Sequence, residues 1–271
     1  MSTERQGIGR FLDQAGISAD HSSIERLARA VKTFAVLPYE NITKIIRLAT
    51  SSGLARARRM PDEVLRDHFR WYTGGTCFSL VNTLKDIVCE LDFEPQILMA
   101  DMRVGENVHC ALKVKISGTE FLLDPGYLLD EPIPLNYEQA TYQHNPMNVI
   151  TLEPEETAAA FNISVIRRGE KKWRYRLKMA PVSESEFLQH WDRSFSMNMM
   201  NSLTLSRVSP SGQLYFSRSR MHIVKPEKRK TDKVRGLEAA CIKQHFQIDP
   251  DLVRKALLIL EHQRNSSQDK P

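Results

Sequence analysis

Cys77 follows a glycine pair, Gly74-Gly75, at the start of an apolar run with helical spacing. Free backbone N–H groups and the positive end of a helix dipole favour a thiolate there, and a thiolate is a nucleophile. The two glycines allow a tight turn and close approach of a substrate to the backbone. His109 heads a strand-like segment, 108–116, where an imidazole can take the thiol proton. Asp124 ends the next such segment, 119–124, and Ser117-Gly118 makes a tight turn between them. The two strands therefore run antiparallel and residues near 109 and 124 become neighbours. A carboxylate in that place holds the imidazole tautomer and stabilises the imidazolium. Each residue also has a plainer reading. A cysteine on an apolar helix is often a small core residue, a histidine at a strand edge is often structural, and an aspartate before Pro-Gly often makes a turn. The three in chain order behind a glycine pair give the chemical reading its weight.

The elements that must position these residues follow from periodicity. Ile24, Leu27, Ala28, Val31 and Phe34 recur at helical spacing, and Pro38 closes that segment. Pro61 opens a second helix with Val64, Leu65 and Phe69 on one face. Cys77, Leu80, Val81, Leu84, Ile87, Val88 and Leu91 mark a third. After about residue 95 the period changes to that of strands, over 96–102, 108–116 and 119–124. Residues 125–160 carry five prolines and read as a long irregular excursion. Segments 161–168 and 172–179 form a second hairpin around Gly169-Glu170. Past Trp191 come a Ser/Asn/Met-rich connection, short strands at 214–217 and 221–224, and a charged break at 225–233. Helices at 237–246 and 250–261, the latter with Asp249 as N-cap, precede a polar tail. Helices, then strands, then a mixed end predict an α+β fold rather than a βαβ winding.

Four segments resemble the arylamine N-acetyltransferase family. Gly74-Gly75-Thr76-Cys77-Phe78 resembles its R-G-G-x-C-x-E motif, and Val108-His109-Cys110-Ala111-Leu112 its T-H-x-x-L segment. Leu122-Leu123-Asp124-Pro125-Gly126-Tyr127 resembles L-V-D-V-G-F-G, and Leu37-Pro38-Tyr39-Glu40-Asn41 the early P-F-E-N signature. The resemblance implies a helical domain over 1–95 carrying Cys77, a β-rich barrel or sheet over 96–185 carrying His109 and Asp124, and a mixed α/β lid over 186–271. It implies a catalytic core shared with transglutaminases and papain-like enzymes. It also implies acyl transfer from acetyl-coenzyme A, or another acyl thioester, to a small amine through an acyl-cysteine. On it Cys77 is the nucleophile, His109 the base and Asp124 the orienting carboxylate, with Gly75, Phe78 and Tyr127 beside the substrate. No permanently bound cofactor is implied. Some relatives are amide synthases that take an acyl chain from a carrier protein. A third reading is a binding protein whose family chemistry has lapsed. Thr73 stands where the motif has Arg and Ser79 where it has Glu, so a charge pair bracing the nucleophile loop has been replaced. Val108 replaces a Thr, and Pro125 and Leu128 alter the loop after the carboxylate.

Composition bounds the rest. The chain has 271 residues and a formal charge of +5, unevenly placed. Residues 1–160 hold 16 Lys+Arg against 22 Asp+Glu, and 161–271 hold 22 against 11. The basic second part suits coenzyme A phosphates or an acidic carrier protein. No nucleic-acid motif is visible, and no apolar run approaches the ~18 residues of a membrane span. Four cysteines without C-x-x-C, and no export-signal pattern, point to reduced thiols and a cytoplasmic protein. His68, His144, His190 and His222 lack metal-ligand spacing. Cys89 and Cys110 read as packing residues, with Cys110 facing away from His109 by strand alternation. Met197, Met199 and Met200, beside Trp191 and Phe195, suit an acyl pocket or adaptable core. Arg56, Arg58 and Arg59 read as a solvated face.

Overall fold

The computed structural model describes residues 6–127, 129–145, 147–209, 212–226 and 228–268; Leu128 lies outside them. The chain opens with α1 (Gln6–Ala15), α2 (Ser23–Phe34), the two-residue strand β1 (Tyr39–Glu40), α3 (Ile42–Thr50), α4 (Leu54–Ala57) and α5 (Pro61–Trp71). A capping box starts α2, where the Glu25 carboxylate accepts the Ser22 N–H at 2.9 Å. Pro61 begins α5, where a missing N–H costs nothing. Tyr72 ends it in the left-handed conformation, φ 58°. That reversal throws the chain into the turn 73–76, from which α6 (Cys77–Glu90) departs. Phe78, Leu80, Val81, Leu84, Ile87 and Val88 of α6 are all buried, against Leu27, Val31 and Phe34 of α2 and Val64 and Leu65 of α5. Side chains of this size stabilise by about 1.5–3 kcal/mol each when fully buried.

The second layer is an eight-stranded antiparallel sheet that curls into a nearly closed barrel. Its strands are β2 (Gln96–Met102), β3 (Gly105–Ile116), β4 (Thr119–Leu123), β5 (Ile133–Pro134), β6 (Thr141–Asn145), β7 (Asn148–Pro154), β8 (Ala160–Arg167) and β9 (Glu170–Pro181). They lie in the order β5-β4-β3-β2-β9-β8-β7-β6. Met99, Cys110, Leu112 and Val114 face the helices, together with Phe187 and Trp191 of α7 (Glu184–Arg193). Leu98, Ala100, Ala111, Leu122, Phe161, Tyr175 and Leu177 fill the barrel. Ser117 and Gly118, at φ 48° and 88°, make the β3–β4 turn.

A second sheet joins β1 to β10 (Thr204–Ser209), β11 (Gly212–Ser217), β12 (Arg220–Val224) and β13 (Arg229–Lys233). It packs with α8 (Glu238–Phe246) and α9 (Pro250–Gln268). Ile42, Ile45 and Ile46 of α3 share that core with Leu205, Phe216, Ile242, Phe246 and Leu260. The architecture is α+β.

Three sequence expectations are corrected. Residues 125–160 hold β5, β6 and β7 rather than an irregular excursion. Pro134 lies on an edge strand and Pro154 ends β7, so these prolines mark strand limits rather than the absence of strands. The charged break at 225–233 contains β13, an exposed edge strand whose charges discourage further pairing. The second hairpin turns at Arg168-Gly169, both with positive φ, one residue earlier than expected.

Candidate active site

Asp124 directly follows β4, whose register with β3 runs from Leu112↔Leu123 to Ile116↔Thr119. Continued by one residue it lies opposite Ala111, on the same face as His109 two positions along. His109 Nε2 meets Asp124 Oδ2 at 2.8 Å. The same oxygen accepts the Tyr175 hydroxyl at 2.6 Å, and Oδ1 accepts the Tyr127 N–H at 3.0 Å. Three donors thus surround a fully buried carboxylate. The His109 ring lies 4.8 Å from that of Tyr175 and 5.5 Å from that of Tyr127.

Cys77 is the first residue of α6, and its sulfur lies 3.9 Å from the Val108 carbonyl oxygen. Gly126 shows how closely the groups converge. A Cβ there would stand 2.8 Å from Cys77 Cβ, 2.8 Å from His109 Cε1 and 3.3 Å from Asp124 Oδ1. With Nε2 given to Asp124, Nδ1 is the nitrogen left to hydrogen-bond the Cys77 sulfur. Cys77, His109 and Asp124 are 7%, 3% and 0% exposed, so their charges act on one another with little solvent screening.

The electrostatics follow. A hydrogen bond from the Cys110 thiol holds the Cys77 thiol well below its ordinary pKa; burial opposes this, and the hydrogen bond and charge of His109 and the charge of Lys44 assist it. Burial works against the His109 imidazolium, but the Asp124 carboxylate and the Cys77 thiolate outweigh it and hold His109 up at about 10. Cys110 is pushed the other way, by burial and by the neighbouring thiolate. Burial lowers Lys44 to about 8; its ammonium bonds the Ser194 carbonyl at 2.9 Å and lies 4.6 Å from the centre of the Phe195 ring. These influences favour the thiolate form of Cys77 and the imidazolium form of His109 over the neutral pair.

The other expected residues divide. Tyr127 lies edge-on to His109. Gly75 sits in the turn, where an added Cβ would meet Ser79 Oγ at 2.2 Å. Phe78 is turned into the core, 5.5 Å from the Phe187 ring and 6.3 Å from the Trp191 ring. The methionines also part from the aromatics: Met200 lies in the C-terminal core, whereas Trp191 and Phe195 lie in the helical one. Among the described residues no group of His, Cys, Asp and Glu could hold a metal ion, and no helix is long and apolar enough to cross a membrane.

A model of the N-acetyltransferase family matches residues 23–254. The chain belongs to the arylamine N-acetyltransferase family. The arylamine N-acetyltransferase of Mycobacterium abscessus superposes with a TM-score of 0.79 at 18% identity, over 96% of both chains. That of Mycobacterium marinum, in complex with CoA, gives 0.76 at 13%, over 93% of this chain and 98% of the other. The Bacillus cereus enzyme, described as having a unique Cys-His-Glu catalytic triad, gives 0.72 at 14%, over 92% and 100%. No curated protein matches the chain in sequence.

In this chain the turn before Cys77 is held by side chains the sequence does not announce. Arg59, expected on a solvated face, is 3% exposed. Its Nη1 donates to the Gly74 carbonyl at 2.6 Å and to Thr43 Oγ1 at 2.8 Å, and its Nη2 to Asp67 at 2.9 Å. Glu40 lies 3.7 Å away as a second carboxylate and accepts the Thr43 N–H at 2.9 Å. Glu40 N–H donates to the Gly75 carbonyl at 2.9 Å, and Tyr39 bridges Gly75 in parallel. The Asn41 side chain donates to the Met199 and Ser202 carbonyls and accepts the Thr204 N–H, tying the same segment to the C-terminal sheet. Arg58 is bidentate to Asp192 on α7, and Arg56 alone of the three is exposed. Tyr175 was also missed, because nothing local marks a tyrosine 51 residues from its partner. Cys110 is buried as expected, in the same core as Cys77.

Proposed function

We propose that this chain moves an acetyl group from acetyl-coenzyme A to the nitrogen of an arylamine or similar small amine, through a thioester on Cys77. The convergence of Cys77, His109 and Asp124 around Gly126 carries this reading. The family supports it, as do a relative with a Cys-His-Glu triad and another in complex with CoA.

In the first half-reaction the Cys77 thiolate attacks the thioester carbonyl. N–H groups of the first turn of α6, which lack intrahelical partners, face the developing oxyanion. The carbon–sulfur bond to coenzyme A breaks, and the leaving thiolate takes the proton from His109 Nδ1. In the second half-reaction the amine attacks acetyl-Cys77, neutral His109 takes its proton, and Cys77 leaves as the thiolate again. Asp124 keeps the imidazole in register throughout. Tyr127 is the aromatic surface beside the acceptor. Arg167 and Arg168 reach the carbonyls of Lys225 and Pro226, so two basic hairpin tips meet; this ridge favours a phosphate-bearing donor, coenzyme A or a carrier protein's arm.

The test is intact mass after incubation with acetyl-coenzyme A and, separately, an acylated carrier protein. An acyl adduct on the native chain, absent from Cys77→Ala and discharged by an arylamine, is the expected result. No adduct from any thioester overturns the reading.

A further inference from the structure

We propose that Arg59 is a positioning residue for Cys77: its guanidinium clamps the Gly74 carbonyl and so fixes the turn from which Cys77 enters α6. The inference rests on Cys77 being the nucleophile.

Gly74 has no room to move toward β1, since a Cβ on it would stand 1.9 Å from the Pro38 oxygen. The turn is therefore pressed against the Pro38–Glu40 segment. Backbone bonds fasten only part of it: Gly75 N–H to the Pro38 oxygen at 3.3 Å and Glu40 N–H to the Gly75 oxygen at 2.9 Å. The Gly74 carbonyl is taken by Arg59 alone among these groups, at 2.6 Å. The planar fork of a guanidinium serves several acceptors at fixed angles, which an ammonium cannot reproduce. Here it joins Gly74, Thr43 and Asp67, with Glu40 close by, in a cluster shielded from water.

The sequence shows why the clamp comes from residue 59. The resemblance leads one to expect an arginine at 73, and Thr73 stands there, fully buried, with a hydroxyl that finds no hydrogen-bond partner among the described residues. The cation is supplied instead from the link between α4 and α5. Arg58 next to it serves a different end of the molecule, bonding Asp192 at 2.6 and 2.8 Å. Adjacent arginines thus provide a test and its control.

The experiment measures the rate of Cys77 alkylation by iodoacetamide against pH, read by peptide mapping, beside the rate of Cys77 acetylation by acetyl-coenzyme A. Variants are Arg59→Met, Arg59→Lys and Arg58→Met, all studied below their melting temperatures. Displacing the sulfur costs about 100-fold in acetylation for Arg59→Met, and the acid limb of its alkylation profile moves to higher pH. Arg59→Lys keeps the charge between Glu40 and Asp67, so it folds even if Arg59→Met does not. It recovers part of the rate and part of the shift. Arg58→Met loses thermal stability but keeps the native alkylation profile. A folded Arg59→Lys or Arg59→Met with native acetylation rate and native profile overturns the proposal and leaves the acetyltransferase reading standing. If the native chain is never acetylated, that reading fails, and the alkylation profiles still decide whether Arg59 positions the thiol.

Discussion

His109 and Asp124 stand on neighbouring strands of one hairpin, while Cys77 stands on a helix that shares no hydrogen-bonded register with them. The first pair is placed by backbone: five consecutive β3–β4 pairings and a two-residue turn decide that the imidazole and the carboxylate meet. The sulfur is placed through the turn 73–76, which is held by Arg59, Glu40 and the short strand β1. A ladder tolerates many side chains as long as their alternation is kept. A buried ionic brace depends on each member, because removing one strands the others. The departures from the family pattern fit that contrast. Thr73 falls in the braced turn and Ser79 in the first turn of α6 beside it, bonding the Thr76 carbonyl, and the brace comes from Arg59 instead. Val108, in the hairpin, lends only its backbone carbonyl to the sulfur and needs no compensation.

The sharpest way to break the hairpin half is Asp124→Asn. The amide has one acceptor oxygen and cannot accept from His109 and Tyr175 on one side and from the Tyr127 N–H on the other, as the carboxylate does at 2.8, 2.6 and 3.0 Å. The imidazole loses both its tautomer and its charge partner. The expected loss in kcat/KM for acetyl-coenzyme A is about 10⁴-fold, the order found when an orienting aspartate is amidated in a triad. Loss of less than tenfold would show that the hairpin pair does not govern the rate.

Gly126→Ala presses on the junction between the two halves. Its φ is unremarkable, so backbone strain is not at issue; the methyl would stand 2.8 Å from both Cys77 Cβ and His109 Cε1. Something must shift, and the groups nearest are the two whose separation sets the proton transfer. A displacement near 1 Å costs about 100-fold in kcat/KM. A native rate in Gly126→Ala would show that sulfur and imidazole tolerate respacing.

The same contrast explains what could be read from the chain. His109 and Asp124 were legible because a Ser-Gly turn at a fixed distance from each sets the pairing. Cys77 was legible as the first residue of an apolar helix behind two glycines. Arg59 was not, since its burial depends on Asp67 from α5 and Glu40 from β1 meeting it in space. Tyr175 was hidden for a related reason. Its strand, β9, lies three places from β4 in the sheet, and only the curl of the barrel brings its hydroxyl onto Asp124. Strands β5 to β7 were hidden by their prolines, which mark edges and ends rather than loops.

A smaller effect separates the two halves by pH. Cys110 is on β3, yet its side chain joins the helix-side core with Cys77, and its thiol, as a donor, lowers the Cys77 pKa. Cys110→Ala removes that donor and leaves His109 and Asp124 untouched, so the Cys77 pKa rises and the acid limb of its alkylation moves to higher pH. The shift is about one pH unit, the worth of a hydrogen bond to a charged group. Cys110→Ser keeps a hydroxyl donor and shifts less. The alkaline side reports the other half. His109 is held at about 10, above its ordinary ~6.5, so the stability it contributes is whole below ~6.5 and is lost as pH rises through about 10. Cys77 has the opposite sign: its contribution is whole above the ordinary thiol pKa and is lost as pH falls through its lowered value. Cys110→Ala therefore moves the acid edge of the melting-temperature profile and leaves the alkaline edge in place. Movement of both edges together would show that Cys110 reaches the hairpin pair as well as the thiolate.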